Sequence, residues 1–159
     1  MKRVLFLIWQ FTWGLPQNLI GLIAFVALSK KYEYKAFGQA IVTYIPTEKA
    51  FGGISLGMFI FLNPTPLKRT QEWVHDAHIH EYGHTIQSLI LGWLYFPVVG
   101  IPSFIWCNAK SIVKWRKDTD HSYYWLYCEG WANHLGRWAS KLPFQEQEML
   151  ERGNYDNPF

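Results

Sequence analysis

Cysteine is scarce in this chain of 159 residues, which holds only two. Cys107 and Cys128 show no C-x-x-C spacing, so the sequence implies no disulfide framework. Internal repeats and low-complexity segments are absent as well. The formal net charge of +3 is small and no nucleic-acid-binding motif is present, so we expect no nucleic-acid partner.

Charged residues are missing from Val4 to Leu28, a stretch long enough for a membrane-spanning helix of about 20 residues. It is too long for the apolar core of a secretory signal, and no small-residue cleavage site follows it. We therefore predict a membrane anchor helix over residues 1–29 and a second domain over residues 30–159. Gly14 and Pro16 predict a kink in the anchor, and a re-entrant hairpin is the alternative.

Aromatic residues are abundant, at 18% of the chain with nine Trp, nine Tyr and eleven Phe. This content is high for a soluble domain. Because Trp and Tyr gather where proteins meet the bilayer surface, we expect a lipid bilayer as a partner. The mean hydropathy of −0.06 excludes a chain that lies mostly in lipid, so one part is expected to be embedded and another to be in water.

The string from His80 to His84 is a complete H-E-x-x-H. Residues four apart share one face of a helix, so both imidazoles can point at one ion about 2.0–2.1 Å from each nitrogen. Glu81 would then face the water bound to that ion. The motif predicts one Zn²⁺ ion held by His80 and His84, with Glu81 as the catalytic base.

A catalytic zinc site typically takes three protein ligands, so a later helix must supply the third. Glu129 is the best candidate because the residues that follow it on the same helical face are small or polar. They are Ala132, Asn133 and Gly136. Gly83 has no side chain to obstruct the approach of that face. We therefore predict that the two helices touch at Gly83.

H-E-x-x-H followed by a distant E-x-x-A-[D/N] is similar to the pattern of gluzincin metallopeptidases, especially the membrane-bound CAAX prenyl proteases and HtpX-type proteases. The resemblance implies that Glu129 is the third zinc ligand and that Asn133 hydrogen-bonds His80. Asn stands where Asp is commoner, which makes His80 somewhat less basic. In gluzincins a His or Tyr commonly lies opposite the base. The candidates for that role here are Tyr123, Tyr124, Tyr127 and His134.

The string H-E-Y-G-H-T-x-Q-S, with further matches over roughly residues 50 to 137, also resembles a family of small bacterial membrane proteins. This resemblance brings no substrate and implies the bacterial inner membrane as the location. A basic group follows the apolar segment and consists of Lys110, Lys114, Arg116 and Lys117. Such groups mark a cytoplasmic, anionic lipid surface, although an ordinary solvated loop is the alternative. We expect the catalytic part on the cytoplasmic side.

Two extended runs lie between the anchor and the zinc motif, Ala36 to Ile45 and Gly53 to Leu62, and they predict an antiparallel pair. Gluzincins bind peptide along an edge strand beside the zinc helix, which implies backbone contacts to substrate by strand addition. The substrate-binding residues predicted on this basis are Ser55, Leu56 and Gly57. In the alternative interpretation the strands simply pack over the helices.

A second apolar stretch runs from Leu89 to Cys107 and is broken by Pro97, Gly100 and Pro102. We predict a helical hairpin that dips into the membrane, or a span with the site at membrane depth. The predicted fold class is α+β and mainly helical. Its parts are an N-terminal membrane helix, a small antiparallel sheet, the zinc-motif helix, the dipping hairpin and a C-terminal glutamate helix.

The predicted function is that of a membrane-associated zinc metalloendopeptidase acting on a peptide or protein substrate. One alternative is a membrane adaptor or chaperone that keeps a metal site without catalysis, against which an intact Glu81 argues. Another is an intramembrane protease similar to site-two proteases, with an Asp as third ligand. Its candidate ligands are Asp118, Asp120 and His121, although the apolar Asp-Gly context of that group is missing. The oligomeric state is left open.

Overall fold

The computed structural model describes residues 3–48, 52–65 and 71–142. Within them the helices are α1 (Arg3–Thr12), α2 (Leu15–Leu28), α3 (Gln71–Leu91), α4 (Ile101–Asn108), α5 (Lys110–Asp118) and α6 (Tyr127–Ser140). Short 3₁₀ turns lie at Gly92–Leu94 and Tyr123–Trp125, and a π-helical turn lies at Phe96–Gly100. The strands are β1 (Tyr34–Phe37), β2 (Ala40–Tyr44), β3 (Gly53–Leu56) and β4 (Phe59–Leu62). The predicted α+β, mainly helical class is confirmed.

The four strands form one mixed sheet in the order β1-β2-β4-β3. β1 with β2, and β3 with β4, are antiparallel hairpins, whereas β2 and β4 run parallel. The predicted antiparallel pairing of two long strands is therefore wrong. Each predicted run folds back on itself at a two-residue turn that begins with glycine, Gly38 at φ +57° and Gly57 at φ +67°. Glycine at the first position is typical of such hairpin turns, because a side chain there would be strained.

The core of the protein lies between the sheet and α3. Val42, Ile60 and Leu62 of the central strands are fully buried and pack with Tyr82 and Ile86 of α3. Burying such side chains supplies the main driving force for folding, about 1.5–3 kcal/mol each. The packing fixes the rotation of α3, so the helix face that carries the H-E-x-x-H residues turns toward β3 and α6.

Helices α3 and α6 lie in direct backbone contact. A Cβ placed on Gly83 would lie 1.8 Å from the carbonyl oxygen of Ala132, and one on Gly136 would lie 2.0 Å from that of Ile79. Both distances are far below van der Waals contact, so only glycine permits this approach. The prediction that the two helices touch at Gly83 is confirmed.

The N-terminal stretch is not one kinked helix, as predicted, but two separate helices. α1 and α2 are bent by 104° at Trp13 and Gly14. Proline in the first turn of α2 explains the break, because Pro16 has no N–H to continue the hydrogen bonding of α1. Phe6 packs with Phe59 and Phe61 of the sheet, so residues on both sides of the predicted 29/30 domain boundary share one hydrophobic cluster.

No single helix among the described residues is long and apolar enough to cross a membrane. Two bent pairs meet the length and composition criteria when each is taken together: α1 with α2, and the helical stretch Phe96–Asn108 with α5. The second pair is bent by 72°.

The apolar stretch after the zinc motif breaks at Gly92 rather than between Pro97 and Pro102. Gly92 adopts a φ of +55°, and a Cβ there would lie 2.3 Å from the Trp13 ring. Both prolines stand in the first turn of a helical segment, where a missing N–H costs nothing. Helical turns therefore continue from Phe96 to Asn108. Whether this segment dips into the membrane stays a prediction.

Substitution of Gly83 by Ala should lower the free energy of unfolding by about 3 kcal/mol or more, because the added methyl group meets a carbonyl oxygen that cannot move independently. Gly100→Ala is the matched control, since its Cβ would meet first the Phe96 side chain at 3.1 Å. We expect that variant to remain within about 1 kcal/mol of the parent. Thermal and denaturant unfolding in detergent measure both, and equal stability of the two variants would contradict the close α3/α6 contact.

Candidate metal centre

Three buried side chains converge on one point between α3 and α6. The Nε2 atoms of His80 and His84 lie 3.2 Å apart, and Oε2 of Glu129 lies 3.1 Å and 3.3 Å from them. His80 and His84 are each 6% exposed and Glu129 is fully buried. Among the described residues these three form the one group of His, Cys, Asp and Glu side chains that can hold a metal ion. The three predicted ligands are thus brought together.

Each histidine is oriented by a hydrogen bond at its other ring nitrogen. Nδ1 of His80 lies 2.7 Å from Oδ1 of Asn133, and Nδ1 of His84 lies 2.7 Å from Oε1 of Gln87. An amide oxygen only accepts hydrogen bonds, so both Nδ1 atoms carry the proton and donate it. Both Nε2 atoms then present a lone pair to the centre, which is the form that binds a metal.

Gln87 is held in this orientation, because its Nε2 donates to the carbonyl oxygen of Cys128 at 2.7 Å. The predicted contact of Asn133 with His80 is observed. The sequence analysis missed Gln87, although it follows His84 by three residues and so lies on the same helical face.

The converging lone pairs require a cation or a shared proton. Burial disfavours the charged imidazolium of His84, but the attraction of the Glu129 carboxylate outweighs it and raises the pKa of His84 to about 9. Burial also disfavours the charged form of Glu129 and by itself would raise its pKa. The two histidines outweigh this effect of burial, so that the pKa of Glu129 falls well below its usual range. The carboxylate is therefore ionised at neutral pH and favours a positive charge at the centre.

The alternative third ligands lie elsewhere. Asp118 is exposed and forms an ion pair with Lys114 at 2.6 Å. Asp120 is exposed as well, in a turn at φ 54°. His121 stacks on Trp115, with the ring centroids 4.6 Å apart. The structure brings none of these three to His80 and His84.

Glu81 lies between the metal centre and β3. The Ser55 hydroxyl is 2.7 Å from Oε2 of Glu81 and 2.8 Å from its backbone oxygen. A Cβ on Gly53 would lie 2.4 Å from Oε1, so this position of β3 accommodates the carboxylate only because it is glycine. Ser55, predicted as a backbone contact for substrate, thus holds the predicted base through its side chain.

The predicted substrate strand β3 does lie at an edge of the sheet and beside α3. Its end is covered, however: the Leu56 carbonyl packs on Gly21 of α2, and Gly57 packs on Asn18. The Ser55 carbonyl accepts a hydrogen bond from Tyr95 at 3.2 Å. Substrate binding by Ser55, Leu56 and Gly57 stays a prediction, and Gly53, which is partly exposed, is the other residue of the edge that lies beside Glu81.

Two of the four candidates for a group opposite the base are close to the centre. The rings of Tyr124 and Tyr123 lie 5.2 Å and 6.4 Å from that of His80. Tyr127 is 56% exposed and its hydroxyl donates to the carbonyl oxygen of Val98. His134 is exposed on α6. The last two therefore do not face the ligands.

Replacing Glu129 by Ala should remove most of the bound metal, because it deletes one ligand and the negative charge that favours the cation. Asn133→Ala and Gln87→Ala should weaken metal affinity or activity by about 10–100-fold, since they release the imidazoles from their orientation. Asp118→Ala is the control and should leave metal content unchanged. Plasma mass spectrometry on the purified variants measures the order, and full metal content in Glu129→Ala would contradict this centre.

Comparison of the chain with protein-family models, with curated proteins and with solved structures produced no match. Both family resemblances therefore rest on the motif residues, and what they imply for this chain beyond the geometry described above remains a prediction.

Proposed function

We propose that this protein is a zinc-dependent metalloendopeptidase that works at a membrane, with the catalytic part on the cytoplasmic side. The observation that carries the proposal is the convergence of His80, His84 and Glu129 beside a fourth group, Glu81, that is not one of the three ligands. This combination is that of a hydrolytic metal site.

The separations of the ligand atoms are compatible with zinc. In a tetrahedral site with ligands at about 2.0–2.1 Å, neighbouring ligand atoms are about 3.3–3.4 Å apart. The three separations here are 3.1, 3.2 and 3.3 Å. Two imidazole nitrogens and one carboxylate oxygen are also a ligand set of catalytic zinc enzymes, in which the fourth position is left to water or substrate.

The side chains of the site divide the chemistry between them. A bound zinc ion lowers the pKa of water toward 7 and polarises a carbonyl group. Glu81 takes the proton from the attacking water and passes it to the leaving amine. Ser55 holds Oε2 of Glu81, so that Oε1 is left facing Gly53 on the edge strand. A peptide added along that edge would bring its backbone next to this oxygen of Glu81.

The non-catalytic adaptor accounts less well for these groups. A structural zinc site normally fills four positions with protein ligands, whereas the described residues provide three. A structural site also has no need of a further carboxylate that is buried and hydrogen-bonded by Ser55. Holding such a group at 7% exposure costs free energy, which is explained if it acts on water.

Glu81→Gln should keep the metal and the fold but remove activity, because the amide has a similar volume and cannot accept the proton. The expected loss in kcat is at least about 10²–10⁴-fold. Cleavage of a peptide library in detergent measures activity, and metal content is measured on the same sample. Wild-type cleavage by Glu81→Gln would show that Glu81 is not the base.

Ser55→Ala should lower kcat by about ten-fold or more while KM and metal content stay unchanged, because one oxygen of Glu81 loses its charge-assisted hydrogen bond. Ser55→Thr keeps the hydroxyl and is the matched control, with activity close to that of the parent. A purely structural role of Ser55 predicts instead that both variants lose stability and that kcat per metal-loaded molecule is unaltered.

A further inference from the structure

The N-terminal helices bury polar side chains beside apolar ones such as Phe6 on their inner side, and expose apolar side chains on their outer side. Gln10, Gln17 and Asn18 are fully buried. The exposed positions on the same two helices include Val4, Leu5, Ile8, Leu19, Ile20, Ile23 and Val26, each between 48% and 66% exposed. We call these seven residues the outer face. A helix that packs on a protein in water instead has charged and polar residues on its outer side.

The buried amides form a hydrogen-bonded network that ties both helices to α3 and the sheet. Gln17 donates to Ser88 and to the carbonyl oxygen of Gly92, each at 2.9 Å. Asn18 donates to Gln10 at 2.6 Å and accepts from the backbone of Met58 at 2.9 Å. The buried amides are therefore paired within the protein. Because the inner side already packs on α3 and the sheet, the outer face is the apolar surface that is left without a covering.

Tryptophans extend the outer face toward the end of α3. The indole N–H of Trp9 donates to the carbonyl oxygen of Leu89, and that of Trp13 donates to the carbonyl oxygen of Ile90. Trp93, in the 3₁₀ turn after α3, is 61% exposed. Exposed Trp is typical of the bilayer surface. With their N–H groups satisfied by backbone, Trp9 and Trp13 can also enter the hydrocarbon region without an unpaired donor.

The charges around the outer face fit an anionic lipid surface. No Asp or Glu occurs before Glu33, nor between Glu81 and Asp118. Basic residues lie at both ends of the helix pair. Arg3 is the first residue of α1, Lys30 and Lys31 follow α2, and all three are exposed. Such residues are attracted to the phosphate groups of anionic lipids.

Both ends of the helix pair return to the same part of the protein. Arg3 at the start of α1 donates to the carbonyl oxygen of Gln39, in the turn between β1 and β2, at 2.5 Å. The end of α2 at Leu28 is followed six residues later by Tyr34, the first residue of β1. The 104° bend thus lies away from the first hairpin of the sheet, and both ends of the helix pair lie next to that hairpin.

We propose that α1 and α2 form a re-entrant wedge, which enters and leaves an anionic bilayer from the side on which the sheet and the metal centre lie. Arms of 10 and 14 residues are about 15 and 21 Å long at 1.5 Å per residue. At a bend of 104°, the apex then reaches roughly 13 Å below a line through the two ends. That depth is less than half of a hydrocarbon core about 30 Å thick.

The wedge brings the metal centre to the membrane surface. His84 precedes Ile90 by six residues on α3, which corresponds to roughly 9 Å along the helix. Ile90 is half exposed beside Trp13 of the wedge. This inference concerns the membrane part of the proposed function and requires no catalysis, so its test can fail or succeed independently of peptide cleavage.

Single cysteines at the two ends of the wedge distinguish re-entry from spanning. Arg3→Cys and Lys30→Cys are labelled with a membrane-impermeant maleimide in intact cells and in inverted membrane vesicles. The parent chain, in which Cys107 is partly buried and Cys128 is buried, measures the background. A re-entrant wedge predicts that both cysteines react from the same side, the cytoplasmic one. Reaction from opposite sides would overturn the proposal and show that residues 4–28 cross the membrane.

Vesicle flotation tests whether lipid covers the outer face. Ile23→Glu places a charge on that face, whereas Ile54→Glu places one on the exposed edge of β3 and is the matched control. With vesicles of phosphatidylcholine and phosphatidylglycerol, we expect Ile23→Glu to reduce binding by about ten-fold or more and Ile54→Glu to leave it unchanged. Equal binding by both variants, or loss of self-association in Ile23→Glu without loss of vesicle binding, would show that another protein surface covers this face.

Discussion

The backbone contact between α3 and α6 is the constraint on which the metal centre depends. Gly83 and Gly136 let the two helices approach until backbone meets backbone, a distance that any side chain would prevent. Glu129 stands one turn before Ala132, the residue that Gly83 contacts, and His80 and His84 lie on either side of Gly83 on α3. The contact therefore sets the separations of 3.1–3.3 Å among the three ligand atoms. A wider helix spacing would leave Glu129 outside the reach of one ion.

Beside that contact, two neutral amide side chains orient the imidazole rings. Asn133 and Gln87 each accept from one imidazole and so turn its other nitrogen to the centre. A carboxylate in either place would make its histidine more basic and add negative charge to a region that already holds Glu129 and Glu81. Amides orient the rings without this additional charge. The buried Glu129 carboxylate then requires a positive charge at the centre, either a metal ion or a proton on a histidine, so metal binding would act directly on the stability of the α3/α6 pair.

The same helix joins the candidate metal centre to the proposed membrane surface. α3 presents its H-E-x-x-H residues to α6 and β3 in its middle, while near its end Ser88 bonds to Gln17 and the carbonyl oxygens of Leu89 and Ile90 accept from two tryptophans. A shift of the N-terminal wedge would therefore act on α3. In the proposed arrangement, the depth of the wedge in the bilayer sets the height of the metal above the lipid, which restricts the peptide bonds that can reach it.

The sequence by itself determined what lies on one helix. Spacings of three and four residues place His80, Glu81 and His84 together, and the small residues after Glu129 mark the face that meets them, because helical geometry follows from local hydrogen bonds. Pro16 marks the break between α1 and α2, but strand direction, the size of that bend (104°) and the bond from Ser55 to Glu81 were decided only by the tertiary structure. Each of these depends on contacts between segments far apart in the chain, whose packing energies no local pattern of residues records.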